Sequence, residues 1–302
     1  MKEKFNYQLA KMKKHRGCYL MLLPYTVVFV VFVLLPVIVA VFFSFTDFNM
    51  LQPPNFTGLR NYIKLFLEDD IFLVAVKNTL VFAIITGPLS YFACLIFAWL
   101  INELSPVPRA ILTFIFYAPS MTGMLYVMWA YIFSGDTYGL LNSVLMRSGF
   151  IDEPVQWLTD ASTVLPVIII VQIWMSLGVS FLSMIAGLQG IDRQLFEAAA
   201  VDGVKNRWQE LFYVTLPSMG PQLLFAAVMQ ISSAFSVSSI CMTLAGFPST
   251  DNAALTVVTH IYDYGNIRFE MGYACAISVV LFIFIMKLND FIQSFITKHT
   301  AV

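Results

Sequence analysis

The stretch EAAAVDGVKNRWQELFYVTLPSMGP, residues 197–221, is the longest polar interruption between two strongly apolar segments in the second half of the chain. Just before it, Asp192 predicts a helix over 193–201, because a carboxylate at a helix start accepts amide hydrogens that have no partner within the helix. Gly203 then predicts a turn, since glycine reaches positive φ without a steric penalty. Residues 189–217, called the elbow below, are therefore predicted to form a helix-turn-helix at a membrane surface.

The composition identifies an integral membrane protein. The 302 residues are 59% hydrophobic and only 12% charged, with a mean hydropathy of +0.79. A membrane-spanning helix needs about 20 apolar residues, and the apolar runs are continuous rather than alternating, which favours helices over a barrel. The sequence therefore predicts an all-α integral membrane protein with six transmembrane helices. The predicted spans are roughly 18–43, 71–100, 111–133, 164–188, 219–245 and 271–291.

Basic residues in the loops predict the orientation. With the N-terminus in the cytoplasm, 12 of the 17 lysines and arginines fall on the inner side and 5 on the outer side. Both termini and the elbow, which lies between the fourth and fifth spans, are then cytoplasmic. Residues 1–16 are predicted to be a basic cytoplasmic tail that contacts anionic lipid, and 17–302 a single transmembrane domain. The segment 134–160 is predicted to be a small extracellular cap.

The sequence lacks the residues that several other functions require. The apolar spans between Ile71 and Glu270 have no Asp, Glu, Arg or His at their middles, and the three histidines, His15, His260 and His299, are predicted in loops or tails. Ion-coupled transporters usually carry ionisable residues there. No phosphate-binding loop, HExxH or GxSxG motif is present. An enzyme is therefore disfavoured, and no cofactor or metal is expected on this chain.

The four cysteines form no CxxC pair, so neither a disulfide framework nor a zinc site is predicted, and they are interpreted as packing residues. Polar residues, by contrast, recur at helical spacing in the fourth and fifth spans. These residues are Gln172, Ser176, Ser180, Ser183, Gln230, Ser232, Ser233, Ser236, Ser239 and Thr243. Small hydroxyl residues in membrane helices usually allow close packing. The alternative is a neutral, hydrogen-bonding lining for a polar solute, and both can hold for different residues.

The pattern EAA at 197–199, Gly203, and LP at 216–217 resembles the EAA loop in permease subunits of bacterial ABC importers. Four further runs, SFTD at 44–47, GLRNY at 58–62, KNT at 77–79 and GLLN at 139–142, resemble the carbohydrate-uptake branch of that family. The type is that of the first permease in the maltose and glycerol-3-phosphate systems. The resemblance covers the chain from Leu20 to the C-terminus and implies a type I importer permease fold with a cytoplasmic coupling helix.

The resemblance also implies a division of labour between subunits. The elbow would insert into one of two cytoplasmic ATPase subunits, which bind ATP and Mg. The residues implied in this coupling are Glu197, Ala198, Ala199, Asp202, Gly203, Leu216 and Pro217. The substrate path would be shared with a second homologous permease in a bacterial cytoplasmic membrane. An extracellular or periplasmic solute-binding protein would deliver the substrate, and no nucleic acid is involved.

A neutral lining suits a sugar, and six residues are candidates for the substrate path. They are Ser176, Ser180, Gln230, Ser233, Ser236 and Tyr126. Two alternatives remain open at this point. One is a permease of the same machine for another polar solute, such as a glycerophosphodiester or a polyol. The other is a membrane scaffold that transports nothing.

Overall fold

The computed structural model describes residues 16–122 and 125–299. Most of the predicted basic tail therefore lies outside the described residues. By contacts between Cα atoms, the described chain divides into two compact units. The first unit comprises residues 16–66 and 264–279, and the second comprises 67–122, 125–263 and 280–299.

The first unit begins with the most apolar helix of the chain. Helix α1 spans Arg16–Phe29 and α2 spans Leu35–Phe43, and a π-helical stretch, Val30–Leu34, joins them. Pro36 sits in the first turn of α2, and proline cannot donate the backbone hydrogen bond that a regular helix needs. The short helix α3, Arg60–Ile63, and the π-helical stretch Lys64–Glu68 follow.

A buried polar network holds the segment after α2. The Asn61 side chain donates to the carbonyls of Ser44 at 2.9 Å and Thr46 at 2.8 Å. The Tyr62 hydroxyl donates to the Ser44 hydroxyl at 2.8 Å. The SFTD and GLRNY runs are thus brought together, and their polar residues fix the backbone of this loop.

The second unit contains most of the remaining helices. Their bounds are α4 Asp70–Asn102, α5 Pro106–Met121, α6 Tyr126–Ile132, α7 Leu140–Arg147, α8 Val164–Met175, α9 Val179–Gln189, α10 Arg193–Val201, α11 Arg207–Glu210, α12 Leu216–Ser218, α13 Gly220–Phe235, α14 Ser239–Ala245 and α15 Val257–Tyr262. A π-helical stretch, Leu211–Thr215, precedes α12, and the last helix, α16, spans Met271–His299 and continues from the first unit into the second.

Helix α4 is central to the second unit, where it packs against α8, α9 and α13. One apolar cluster around it includes Cys94, Phe181, Met184 and Met219, all fully buried. Because lipid tails are as apolar as these side chains, close van der Waals packing of the cluster, rather than removal from water, stabilises the helices against one another. The predicted packing role holds for the buried Cys94 and Cys241, whereas Cys18 is exposed on α1, because the described chain has no element packed over it.

Four described helices are long and apolar enough to cross a membrane, and the number rises to six if each of two bent pairs is one span. Three predicted spans are not continuous helices. The third, 111–133, divides into α5 and α6, the fourth, 164–188, into α8 and α9, and the fifth, 219–245, into α13 and α14. Apolar residues flank each interruption, so hydropathy alone does not reveal them. The interruption in the fifth span contains Ser236 and Ser238, and serine is a residue whose side chain can compete for backbone hydrogen bonds.

His260 corrects a second expectation, because it lies on a helix rather than in a loop. It belongs to α15, which begins with a capping box formed by Thr256 and Thr259. Its side chain is buried, and its Nε2 atom lies 2.9 Å from Oδ2 of Asp69. Asp69 also caps α4 by accepting from the backbone N–H of Phe72 at 2.9 Å. The pair therefore links the start of α4 to α15.

Candidate functional site

The first limb of the elbow, α10, has the bounds that the sequence predicts. Asp192 caps it, with Oδ1 accepting from the backbone N–H of Gln194 at 3.0 Å. The helix ends at Val201, and Gly203 follows with φ +96°. An L-residue in this region carries a penalty of roughly 1–2 kcal/mol. The turn between the two limbs therefore depends on glycine for its conformation.

The residues of the EAA pattern lie on the surface of this limb. Glu197 and Ala198 are exposed and Ala199 is half-buried. Among the described residues, Glu197 has no hydrogen-bond or ion-pair partner. Val201, at the end of the limb, is 87% exposed. The limb thus presents a carboxylate, small side chains and an apolar residue that the described chain leaves uncovered.

The other elbow residues that the resemblance names lie at its two turns. Asp202 is exposed beside Gly203, while Leu216 is half-buried and Pro217 exposed in α12. The backbone N–H of Asp202 donates to the Ala198 carbonyl at 2.9 Å, and that of Gly203 donates to the Ala200 carbonyl at 3.3 Å, so this turn closes the end of α10. These residues shape the backbone on which the limb surface is displayed.

The second limb, α11, is tied more firmly to the rest of the unit. Asn206 caps it, accepting from the backbone N–H of Gln209 at 2.8 Å. Arg207 forms ion pairs with Glu103 at 2.8 Å and with Glu210 at 2.9 Å. A cleft of 550 Å³ lies between the elbow and the ends of α4, α5 and α9. The two limbs therefore differ, since Arg207 of α11 forms an ion pair with the end of α4, whereas no side chain of α10 forms a hydrogen bond or ion pair with another described helix.

A cavity of 280 Å³ lies where several helices end. Its lining residues are Ser120, Tyr126, Gln172, Met175, Ser233, Ser236, Val237, Ser238, Ser239 and Ile240. Most of them carry hydroxyl or amide groups, and none of these described lining residues is charged. Hydroxyl and amide groups both donate and accept hydrogen bonds, so the cavity suits a neutral polar ligand.

Two helix breaks form one side of this cavity. Helix α8 ends at Met175 and α9 begins at Val179, while α13 ends at Phe235 and α14 begins at Ser239. A broken helix leaves backbone groups without their usual partners, and at membrane depth such groups are tolerated only within protein or beside a cavity. Discontinuous helices of this kind form the binding sites of many transporters.

The six predicted path residues divide into two groups. Tyr126, Ser233 and Ser236 line the cavity, and Gln172 donates to the Ser233 hydroxyl at 3.4 Å. Ser120, Gln172, Ser238 and Ser239 also line it, although the sequence did not select them as path residues. For the serines at 238 and 239 the signal was the cluster that breaks the fifth span.

The other three predicted residues, Ser176, Ser180 and Gln230, do not line the cavity. The Gln230 amide donates to the Ser176 carbonyl at 3.2 Å and lies 3.3 Å from the Cys94 sulfur. The Ser180 hydroxyl donates to the Ala226 carbonyl at 3.4 Å. In this structure their contacts hold the break in the fourth span and pack α9 against α13, which is the packing alternative left open by the sequence.

The segment 134–160, called the cap, is organised around one buried side chain. Asn142 is fully buried, and its amide donates to the carbonyls of Ser134, Asp136 and Val155 at 3.1–3.3 Å. Its carbonyl oxygen accepts from the backbone N–H of Val155 and from the Trp157 indole at 2.7 Å. A single asparagine therefore joins both ends of the cap.

Asp160 ends the cap in a local hydrogen-bonded turn. The backbone N–H and the hydroxyl of Ser162 both donate to Asp160 Oδ1 at 2.8 Å. These hydrogen bonds stabilise the charged form and lower the pKa of the Asp160 carboxyl below its usual value.

Among the described residues, no group of three or more His, Cys, Asp or Glu is arranged to hold a metal ion.

Comparison with known proteins places these features in a family. "Probable ABC transporter permease protein YurN" of Bacillus subtilis (strain 168) is 32% identical over 279 residues, which cover 90% of this chain and 92% of the relative. The arabinooligosaccharides transport system permease protein AraP of the same organism is 29% identical over 278 residues, which cover 91% of this chain and 87% of AraP. None of the protein-family models compared with the chain matches it.

A solved structure shows the same fold. It is the crystal structure of a bacterial alginate ABC transporter in complex with an alginate pentasaccharide-bound periplasmic protein. The superposition has a TM-score of 0.79 at 24% identity and covers 96% of this chain and 97% of that chain. The chain is thus a multi-pass membrane protein with the type I importer permease fold. Together with the identity and coverage shared with YurN, this shows that the chain belongs to the family of ABC transporter permeases.

Proposed function

We propose that the chain is a transmembrane subunit of an ATP-driven importer that takes up a neutral sugar or oligosaccharide. The observation that carries this proposal is the cavity at the helix breaks, whose lining offers hydroxyl and amide groups and no charge. Sugar hydroxyls form hydrogen bonds with such groups. The name of AraP, a permease for arabinooligosaccharides, supports the same class of substrate.

The size of the cavity supports a shared path. At 280 Å³ it lies just below the usual range of ligand pockets, about 300–1,000 Å³. A second, homologous permease would supply the opposite wall and enlarge the site. The oligosaccharide would then pass between the two subunits.

The exposed limb of the elbow supports the proposed coupling to an ATPase. The carboxylate of Glu197 and the small residues Ala198 and Ala199 are left uncovered by the described chain. A cleft in an ATPase subunit would cover them, with a basic or amide group pairing with Glu197. Two such subunits would bind ATP and Mg, and this chain would bind no cofactor.

The remaining partners and the location complete the proposal. A saccharide-bound periplasmic protein is part of the alginate transporter structure, and we assign a solute-binding protein of that kind to the outer side of this chain. The excess of basic residues on one side supports a bacterial cytoplasmic membrane with both termini in the cytoplasm. The elbow then faces the cytoplasm and the cap faces outward.

A phosphate-bearing solute fits the site less well. A glycerophosphodiester carries a negative charge, and the cavity lining has no cationic side chain to pair with it. A scaffold without transport would have no use for an uncovered elbow. The neutral saccharide is therefore the substrate that the geometry supports best.

The test is to purify the complex through a tag on this chain and reconstitute it in proteoliposomes. ATP hydrolysis is then measured with the solute-binding protein and a series of neutral saccharides, with a glycerophosphodiester for comparison. We expect hydrolysis and uptake to rise for one saccharide class. A chain that purifies without an ATPase even after crosslinking, or a complex that responds to no saccharide, would overturn the proposal.

Two hydroxyls test the cavity itself. Ser233→Ala and Ser236→Ala each remove a lining hydroxyl without adding bulk, and we expect KM for the saccharide to rise about fivefold, as for the loss of one hydrogen bond. Ser232→Ala is the matched control, because Ser232 is the sequence neighbour of Ser233 and lies outside the lining. Equal KM values in all three variants would exclude this cavity from the path.

A further inference from the structure

The second limb of the elbow is fastened to the end of α4 at two points. Arg207 Nη2 lies 2.8 Å from Oε2 of Glu103, the residue that follows the last turn of α4. Beside this ion pair, the rings of Trp208 and Trp99 are 5.1 Å apart between centroids. An ion pair and a ring contact thus join α11 to the same end of one long helix.

Helix α4 leads from that end to the break in the fourth span. Between Glu103 and Cys94 the helix rises about 14 Å, and this part contains no proline. The Cys94 thiol donates to the Ser176 carbonyl at 3.8 Å, and Gln230 contacts both of these groups. Ser176 is the residue that follows the end of α8, next to Met175 in the cavity wall. A continuous set of contacts therefore joins Glu103 to the cavity wall through α4.

We propose that Arg207 and Glu103 form a strut that transmits movement of the elbow through α4 to the helix break beside the cavity. This inference rests on the proposed function, because it requires an ATPase that moves the elbow. Arg207 and Glu103 are positioning residues in it, since neither lines the cavity. The strut explains why only α11 forms an ion pair with α4. In this proposal α10 binds the ATPase, and α11 passes its movement to the membrane helices.

The alternative is that the ion pair only adds stability. The Arg207 side chain is 63% exposed and that of Glu103 38% exposed, and exposed ion pairs contribute little to folding. A stabilising role therefore predicts almost no effect when the pair is removed. A strut predicts an effect on coupling, which is the amount of saccharide transported for each ATP hydrolysed.

The experiment measures that ratio in proteoliposomes that contain the complete complex. Glu103→Gln and Arg207→Gln each remove the pair between α11 and α4, and we expect the ratio to fall about two- to fivefold. Subunit composition and the rate of ATP hydrolysis should stay at the wild-type values. Glu210→Gln is the matched control, because it removes only the pair within α11, and its ratio should remain unchanged.

A charge exchange separates the strut from general effects of charge. In a Glu210→Gln background, Glu103→Lys alone should lower the ratio, and its combination with Arg207→Glu should restore it. The background matters because a glutamate at 207 would otherwise repel Glu210 on the same helix. Recovery in the double exchange requires that the two side chains act on each other.

The outcomes distinguish this inference from the proposed function. If wild-type complex couples ATP hydrolysis to saccharide uptake and all the single variants keep its ratio, the strut is wrong and the proposed function stands. A lowered ratio without recovery in the exchange also rules out the strut. If the wild-type complex responds to no saccharide, the proposed function fails and the strut fails with it.

Discussion

The elbow and the cap use polar residues in opposite ways. In the cap, Asn142 is fully buried and every polar atom of its side chain has a partner within the same segment. In the elbow, Glu197 is exposed and has no partner among the described residues. Buried polar groups must be paired because leaving them unpaired costs free energy, whereas an exposed carboxylate remains available. The polar groups of Asn142 thus find their partners within the cap, whereas the carboxylate of Glu197 is available to a partner on another chain.

The largest effect should come from the glycine of the elbow. Gly203→Val places a β-branched residue at φ +96°, where the backbone is strained and the turn must change. We expect loss of uptake with normal amounts of the chain in the membrane, measured by saccharide uptake and immunoblotting. Glu197→Lys should have the same result, because it reverses the charge presented to the ATPase.

The cap offers a matched control for that strain. Gly149 has φ +72° and open space around it, like Gly203. Gly149→Val imposes a comparable backbone penalty outside the elbow, so uptake should persist. Equal loss of uptake in both valine variants would mean that strain, and not coupling, is responsible.

The next largest effect should come from the centre of the cap. Asn142→Leu removes the contacts to Ser134, Asp136, Val155 and Trp157, so several buried polar groups lose their partner. Each such group costs roughly 1–3 kcal/mol, and we expect destabilisation of about 3 kcal/mol or more, seen as a lower thermal midpoint of the purified chain. The control is Ser143→Ala at the adjacent position, where the hydroxyl donates only to the Leu140 carbonyl. This variant should keep the wild-type thermal midpoint. A similar fall in its midpoint would argue against Asn142 as the centre of the cap.

A smaller effect is expected at the break in the fourth span. Gln230→Leu removes the side-chain amide that donates to the Ser176 carbonyl, which keeps the Gly178 backbone N–H at 2.8 Å and the Cys94 thiol as donors. The expected cost is that of one hydrogen bond, about 1 kcal/mol. The thermal midpoint should fall, whereas Ser233→Ala in the cavity wall should change KM and leave the midpoint in place. If Gln230→Leu instead alters KM alone, Gln230 belongs to the substrate path as the sequence predicted.

The smallest effect is expected for Ser180→Ala. The Ser180 hydroxyl donates to the Ala226 carbonyl at a long 3.4 Å, so the loss should be about 0.5 kcal/mol. Saccharide specificity should be unaffected, which competition between saccharides in the uptake assay would show. A change in specificity would return Ser180 to the path.

Much of the elbow could be read from the sequence because its determinants are local. A capping carboxylate at 192, a glycine at 203 and the residues between them set the limits of α10 without help from distant parts of the chain. The membrane class followed in the same way, since long apolar runs have few alternatives to spanning helices. The resemblance to importer permeases rested on these local features and is confirmed by the relatives.

Only three of the six predicted path residues line the cavity, because the lining depends on which face of each helix points toward it. The serine stripes are regular in sequence, yet Ser233 faces the cavity while Ser180 faces Ala226. Hydropathy could not show the helix breaks, since apolar residues flank them on both sides. The packing of α4, α9 and α13 against one another determines which face of each helix, and so which of its serines, points into the cavity.

The sequence by itself therefore determined the membrane class, the elbow and its family, because each rests on composition or on residues close together in the chain. The tertiary structure alone decided which polar residues line the cavity, why Asn142 is buried, and how Arg207 meets Glu103. These arrangements bring together residues from different elements of the chain, and the packing of the helices determines which residues meet. No periodicity within a single span specifies them.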